Sequence, residues 1–186
     1  MRAFIAIAIP AEGRAQLTRL QATLAASQAD VKWVATDALH VTLKFLDEIS
    51  ESQRQDVEAL LKRVAQSEPV FTARLGAAGA FPSIAAPRIV WVGVQDGAEA
   101  MSRMASAIEQ GTAAMGLRKE EHEFSAHVTI GRVRSPRRRE PLARLLQSTS
   151  WEAPPPWRVS TVTLYESVLH PDGPRYTILA DIPLFI

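Results

Sequence analysis

Two segments carry the same four-residue pattern, His40-Val41-Thr42-Leu43 and His127-Val128-Thr129-Ile130. Each sets a histidine two residues before a threonine, with an apolar residue after each. Imidazole is the side chain whose ordinary pKa lets it serve as base or acid near neutral pH. Two imidazoles on opposite sides of a phosphorus centre would let one activate the attacking oxygen while the other protonates the departing oxygen in line. The hydroxyls of Thr42 and Thr129 would hold the non-bridging oxygens and orient the group. Such chemistry is mostly positioning and charge stabilisation, so a small polar set suffices without a metal.

The repetition is what carries this reading, because a lone His-x-Thr on a strand is ordinarily a structural polar pair. The chain has 4 histidines and 11 threonines in 186 residues, with 47% hydrophobic content. Two chance matches would then arise on the order of once in a thousand such chains. His122 lies in the acidic stretch Glu120-Glu121-His122-Glu123 and reads as solvated, while His170 adjoins a turn. Neither is followed by a threonine two residues later. Asp37 and Asp47 flank His40 and would suit a divalent ion. No His-x-x-x-His or similar ligand spacing accompanies them, and they read as loop acids. There is no Gly-x-Ser-x-Gly elbow, phosphate-binding glycine loop or dinucleotide fingerprint. The sequence therefore calls for no metal, ATP or other cofactor.

Positions i and i+2 of a strand point to one face, so each motif needs a strand that shows His and Thr outward and buries Val41, Leu43, Val128 and Ile130. The hydrophobic pattern predicts strands near 2–9, 31–34, 39–46, 70–75, 89–94, 126–133, 159–169 and 175–183. Helices are predicted near 11–27, 51–65, 98–116 and 138–147. Ser50 and Gln53 offer a capping box for the second helix. Gly76 to Pro87 reads as a Gly- and Pro-containing connection, and Pro171-Asp172-Gly173-Pro174 as a tight turn. Each half of the chain thus reads strand, helix, histidine strand, helix, strand. A degenerate duplication of this kind implies two similar lobes related by a pseudo-twofold, each bringing its histidine strand to a shared cleft. The whole of 1–186 is read as one domain.

Composition sets further bounds. The net charge of +1 provides no global basic field, so nucleic-acid contacts must be local. The absence of cysteine removes disulfides and thiolate chemistry and fits a reducing compartment. The opening Phe4, Ile5, Ile7 and Ile9 run is cut short by Pro10 and Glu12, which suits a buried strand better than a signal peptide. A cytoplasmic protein is expected.

The chain resembles the 2H phosphoesterase superfamily, defined by a pair of His-x-Thr-x motifs, and within it the RNA 2′,3′-cyclic phosphodiesterases, or 2′-5′ RNA ligase-like proteins. Besides the two motifs, the resemblance rests on Arg2 to Ile7, Trp33-Val34, Lys44-Phe45-Leu46, Gly79 to Pro82, Pro87 to Val94, Gly131-Arg132, Leu164 to Ser167 and Gly173 to Tyr176. It implies an α+β fold, bilobal with pseudo-twofold duplicated lobes, antiparallel sheets lining a central cleft and helices outside, and hydrolysis of a terminal RNA 2′,3′-cyclic phosphate to a 2′-phosphate. His127 would be the base for water, His40 the acid for the 3′ oxygen, and Thr42 and Thr129 phosphate ligands. The family often has proline before the second histidine, where this chain has Ala126. Arg132 matches an arginine that follows the second motif in the family and would contact phosphate, although strand alternation alone would turn it away from His127 and Thr129. Phe45 would stack on a base, yet it alternates with Val41 and Leu43, which favours core packing. Arg137-Arg138-Arg139 would steer RNA or simply open a solvated helix, and Trp33 and Trp91 read as core or cleft-wall residues. The expected partner is RNA with a cyclic-phosphate end, bound by a monomer. Alternatives are 2′-5′ ligation at the same site, hydrolysis of another cyclic nucleotide or a 2′-5′ oligonucleotide, and a non-catalytic RNA-end-binding module.

Overall fold

The computed structural model describes residues 1–186. Nine strands and four helices follow one another along the chain. They are β1 (Arg2–Ala8), α1 (Ala11–Ala25), β2 (Val31–Trp33), β3 (His40–Glu48), α2 (Glu51–Ser67), β4 (Phe71–Pro82), β5 (Pro87–Asp96), α3 (Ala98–Ala114), β6 (His127–Val133), α4 (Arg139–Ser148), β7 (Trp157–Val159), β8 (Thr161–His170) and β9 (Gly173–Pro183). The strands form a single sheet in the order β7-β4-β5-β6-β3-β1-β8-β9, with β2 also pairing β6. The order is symmetric about the β3–β6 junction, so the two lobes share a continuous sheet.

The symmetry has a twist. β4 closes the first half of the chain but pairs with β5 of the second, and β8 closes the second half but pairs with β1 of the first. Each lobe therefore borrows its third strand from the other half. The sheet also curls. β7 lies at one end of the path and β8 next to the other, yet only Ser160 separates them in the chain. The run expected as one strand over 159–169 breaks at this residue, because the chain changes from pairing β4 to pairing β1.

Burial explains the elements. Ala3 to Ile7 of β1 are all buried, as a central strand covered on both faces requires. Leu17, Leu20 and Leu24 of α1 and Val57, Leu60, Leu61 and Val64 of α2 form the apolar stripes that meet the sheet. Each fully buried aliphatic side chain contributes about 1.5–3 kcal/mol relative to exposure. The Ser50/Gln53 capping box is present, with Gln53 N–H donating to Ser50 Oγ and Ser50 N–H to Gln53 Oε1.

The segment read as a connection after Leu75 is strand as far as Pro82. Its small residues serve packing: a Cβ on Gly79 would lie 2.5 Å from the Trp91 ring. The glycine is there so that the indole can lie flat on β4, which a turn-based reading of glycine misses.

Candidate active site

The two histidine strands run antiparallel side by side, with Val41 opposite Val128. Both valines are fully buried. By alternation His40, Thr42, His127 and Thr129 share the opposite face, with His40 across from Thr129 and Thr42 across from His127. The structure thus brings both motifs to one place, at the centre of the sheet.

Both imidazoles are held in the same way. His40 Nδ1 is 2.7 Å from the Ala38 carbonyl, and His127 Nδ1 is 2.6 Å from that of Ser125. A carbonyl only accepts, so Nδ1 carries the proton and Nε2 is left as the working nitrogen of a neutral ring. His40 Nε2 lies 2.8 Å from Thr42 Oγ1, which donates to it when the ring is neutral. Aromatic walls surround each ring. Phe4 and Tyr176 lie against His40 at centroid distances of 4.8 and 5.5 Å, and Phe81 and Trp91 against His127 at 5.3 and 6.4 Å.

Burial holds the His40 pKa below the ordinary imidazole value; the hydrogen bond to Ala38 opposes that shift and the Arg132 charge adds to it. His40 is therefore neutral at pH 7 in the free protein. Burial likewise raises the phenols of Tyr165 and Tyr176, so both stay protonated.

Each motif ends on a β-bulge. Ile5 pairs with Lys44 and Ala6 with Thr42, which leaves Leu43 as the extra residue of β3. Trp91 pairs with Thr129 and Val90 with Gly131, which leaves Ile130 as the extra residue of β6. An inserted residue reverses the alternation beyond it. Arg132, five residues after His127, returns to the histidine face, opposite Ile89. Phe45, five residues after His40, does the same opposite Phe4 and is 51% exposed. The expectation that Phe45 packs in the core is thus incorrect, and the alternation that placed Arg132 on the far face fails for the same reason.

Two supports of the site carry no motif. Gln21 of α1 donates from Nε2 to the carbonyls of Val34 and Ile130, each at 2.8 Å. The second of these belongs to the bulged residue itself. Lys44, turned inward by the first bulge, is buried and meets Glu109 of α3 at 2.6 Å and the Arg118 carbonyl at 2.7 Å. Their only sequence signal is a polar residue on an otherwise apolar face or run. Gln21→Leu, close to isosteric, removes the side-chain donor from both carbonyls, the Ile130 carbonyl keeping only the Val34 N–H at 3.0 Å, and loosens the bulge. A loss of about 1–2 kcal/mol in urea unfolding is expected, with turnover falling more than the small unfolded fraction explains.

The other sequence candidates lie apart. His122 is exposed, and Asp47 stands 4.0 Å from Arg118. No three His, Asp or Glu side chains gather as a metal-binding group. Arg138 donates to the Ser27 carbonyl at 2.8 Å and so ties α4 to the end of α1. Trp91 lines the cleft, whereas Trp33 packs against Gly131. No helix is long and apolar enough to cross a membrane.

A curled antiparallel sheet with twinned His-x-Thr strands at its centre defines a 2H phosphoesterase fold. Residues 9–170 match the 2′-5′ RNA ligase superfamily, and the chain belongs to that family. The RNA 2′,3′-cyclic phosphodiesterase of Methanothermobacter thermautotrophicus is 34% identical over 95% of each chain. That of Escherichia coli is 31% identical over 96% of this chain and 93% of its own. Among solved structures, E. coli LigT complexed with 3′-AMP superposes with a TM-score of 0.79 at 28% identity, covering 98% of this chain and 97% of that one. TT0787 of Thermus thermophilus gives 0.80 at 30% identity, covering 99% and 98%. These curated relatives are, by name, phosphodiester hydrolases.

Proposed function

We propose that the protein is an RNA 2′,3′-cyclic phosphodiesterase that opens a terminal cyclic phosphate to a 2′-phosphate. The observation that carries this is the pairing of two imidazoles on adjacent strands, each with Nδ1 fixed on a carbonyl and Nε2 left for proton transfer. His127 takes a proton from water as its oxygen bonds to phosphorus. The P–O3′ bond breaks, and His40 delivers its proton to the departing 3′ oxygen. Thr42 and Thr129 donate to the non-bridging oxygens, and Arg132 offsets their charge. Phe45 offers a face for the terminal base. One chain supplies both halves of the site, so the monomer is the active unit.

The depressed proton affinity of His40 bears on its acid role. The basic limb of kcat/KM reports the free enzyme's acid losing its proton, and burial moves that loss below the ordinary value of 6.5. A bound phosphate anion favours the imidazolium, so the same limb in kcat shifts upward. Both limbs are properties of the coupled pair, so the residual turnover of His40→Ala assigns them: an acidic limb alone supports His40 as acid, and a basic limb alone overturns it.

The same geometry serves 2′-5′ ligation, which the family description favours as a second reading. An RNA 5′-hydroxyl then replaces water, with the same base, acid and leaving oxygen. The deciding experiment supplies a short RNA ending in a 2′,3′-cyclic phosphate, with chelator present, and determines where phosphate remains. A 2′-phosphate supports hydrolysis, and a 2′-5′ linked product with a 5′-hydroxyl acceptor supports ligation. RNA binding without turnover supports a non-catalytic module, and turnover confined to small cyclic nucleotides or 2′-5′ oligonucleotides points to those substrates.

A further inference from the structure

The two ends of the histidine strands differ in charge. Beyond Thr129, β6 carries Arg132, which lies between Ile89 of β5 on one side and Lys32 of β2 on the other. Residues opposite each other in an antiparallel ladder share a face about 4.5–5.5 Å apart. Phe81 pairs in turn with Ile89. A single row across four strands thus runs Phe81, Ile89, Arg132, Lys32 on the histidine face, from apolar to basic.

The basic end continues past Lys32. Arg137 is exposed, and its carbonyl accepts the Asp30 N–H. Asp30 is already paired with Arg134 at 2.9 Å, and Asp37, in the turn between β2 and β3, is the other acid of this end. At the other end of the histidine strands the charges are already paired. Asp47 and Glu48 close β3, with Asp47 4.0 Å from Arg118 and Glu48 opposite Arg2 and 3.3 Å from the N-terminal amine. A polyanion leaving the site in that direction meets no comparable row of free cations.

We propose that the RNA upstream of the reacting phosphate leaves the cleft over β2, with Lys32 and then Arg137 contacting its phosphates, so that the protein favours RNA chains over cyclic mononucleotides. This rests on the functional reading above for which phosphate sits between the histidines. Lys32 stands next to Arg132 but one strand further from the imidazoles. It acts on the second nucleotide and not on the reacting one.

The test compares a ten-nucleotide RNA with a 2′,3′-cyclic phosphate end against a 2′,3′-cyclic mononucleotide, in wild type, K32E, K32Q and R137E. These are exposed positions, and matched melting temperatures establish that the variants fold. For K32E, kcat/KM on the RNA falls about tenfold or more at low salt, with K32Q between it and wild type, while the mononucleotide stays within about twofold. Each lost phosphate contact also makes log(kcat/KM) against log[salt] shallower by about 0.7 on the RNA. Equal losses on both substrates, or an unchanged salt slope, overturn the proposal. If wild type turns over neither substrate, the functional reading fails alone. Anisotropy with a single-stranded RNA ending in a 2′-phosphate still decides the path: weakened binding in K32E and R137E supports it, and unchanged binding overturns it.

Discussion

Replacing either His40 or His127 by alanine is expected to lower turnover of a cyclic-phosphate-ended RNA by about 10²–10⁴-fold, the usual worth of a positioned acid or base. The two losses should not multiply. In-line displacement needs both proton transfers in one step, so the double variant is little worse than the poorer single one. Neither ring is a main support of the fold. His40 is wedged between Phe4 and Tyr176, and His127 stands at the start of its strand. His127→Ala should therefore melt close to wild type, and His40→Ala somewhat lower. Full activity in either variant would remove the basis of the proposed mechanism. RNA binding by the double variant should persist, since the proposed mechanism rests phosphate affinity on Arg132, the threonine hydroxyls and the basic flank.

The second large effect is on stability. Lys44→Ala removes a cation whose side chain is 1% exposed, leaving Glu109 with only the Glu120 N–H on Oε1 and the Arg118 carbonyl without the lysine donor. Breaking a fully buried pair costs about 3–5 kcal/mol, and the 30% exposure of the Glu109 side chain brings this nearer to about 2–3 kcal/mol. For a chain of this length that is a fall in Tm of about 4–12 °C. The pair also has a pH signature. Burial alone would raise the Glu109 carboxyl, but hydrogen bonds from Lys44 and the Glu120 N–H outweigh it and hold the group below its ordinary value of 4.5. A carboxyl depressed in the folded state gives stability that is complete above the unfolded pKa and lost as pH falls through the folded one. Urea midpoints of wild type should therefore drop below about pH 4.5 more steeply than those of Glu109→Gln. Equal acid slopes would show that the pair does not contribute in this way.

Lys44 and Gln21 also show where reading along the chain stops. The apolar run Val41 to Leu46 announces a strand, and Leu17, Leu20 and Leu24 announce a helix face. Within each, a single polar residue looks like an interruption. Only when α3 is seen over β3, and α1 over β6, does each acquire a partner: Glu109 for Lys44 and the bulge carbonyl for Gln21. The exchange of β4 and β8 between lobes was hidden for a related reason. Element order is local, but which edge a strand joins depends on how the whole sheet curls.

The His-x-Thr repeat was legible at once because its period is that of a strand. Period 2 alone puts imidazole and hydroxyl on one face and the intervening valines in the core, whatever else the chain does. The duplicated order of strands and helices was open to reading on the same grounds, and the family through the resemblance carried by the two motifs and the segments around them. The positions of Phe45 and Arg132 were not. Each lies one bulge beyond its motif, and a bulge is set by cross-strand register with β1 or β5, residues far away in the chain. One inserted residue on one partner turns every later side chain over. The chemistry of the cleft's centre is therefore written locally in eight residues, whereas the walls that would meet the rest of a substrate exist only once the strands have found their register.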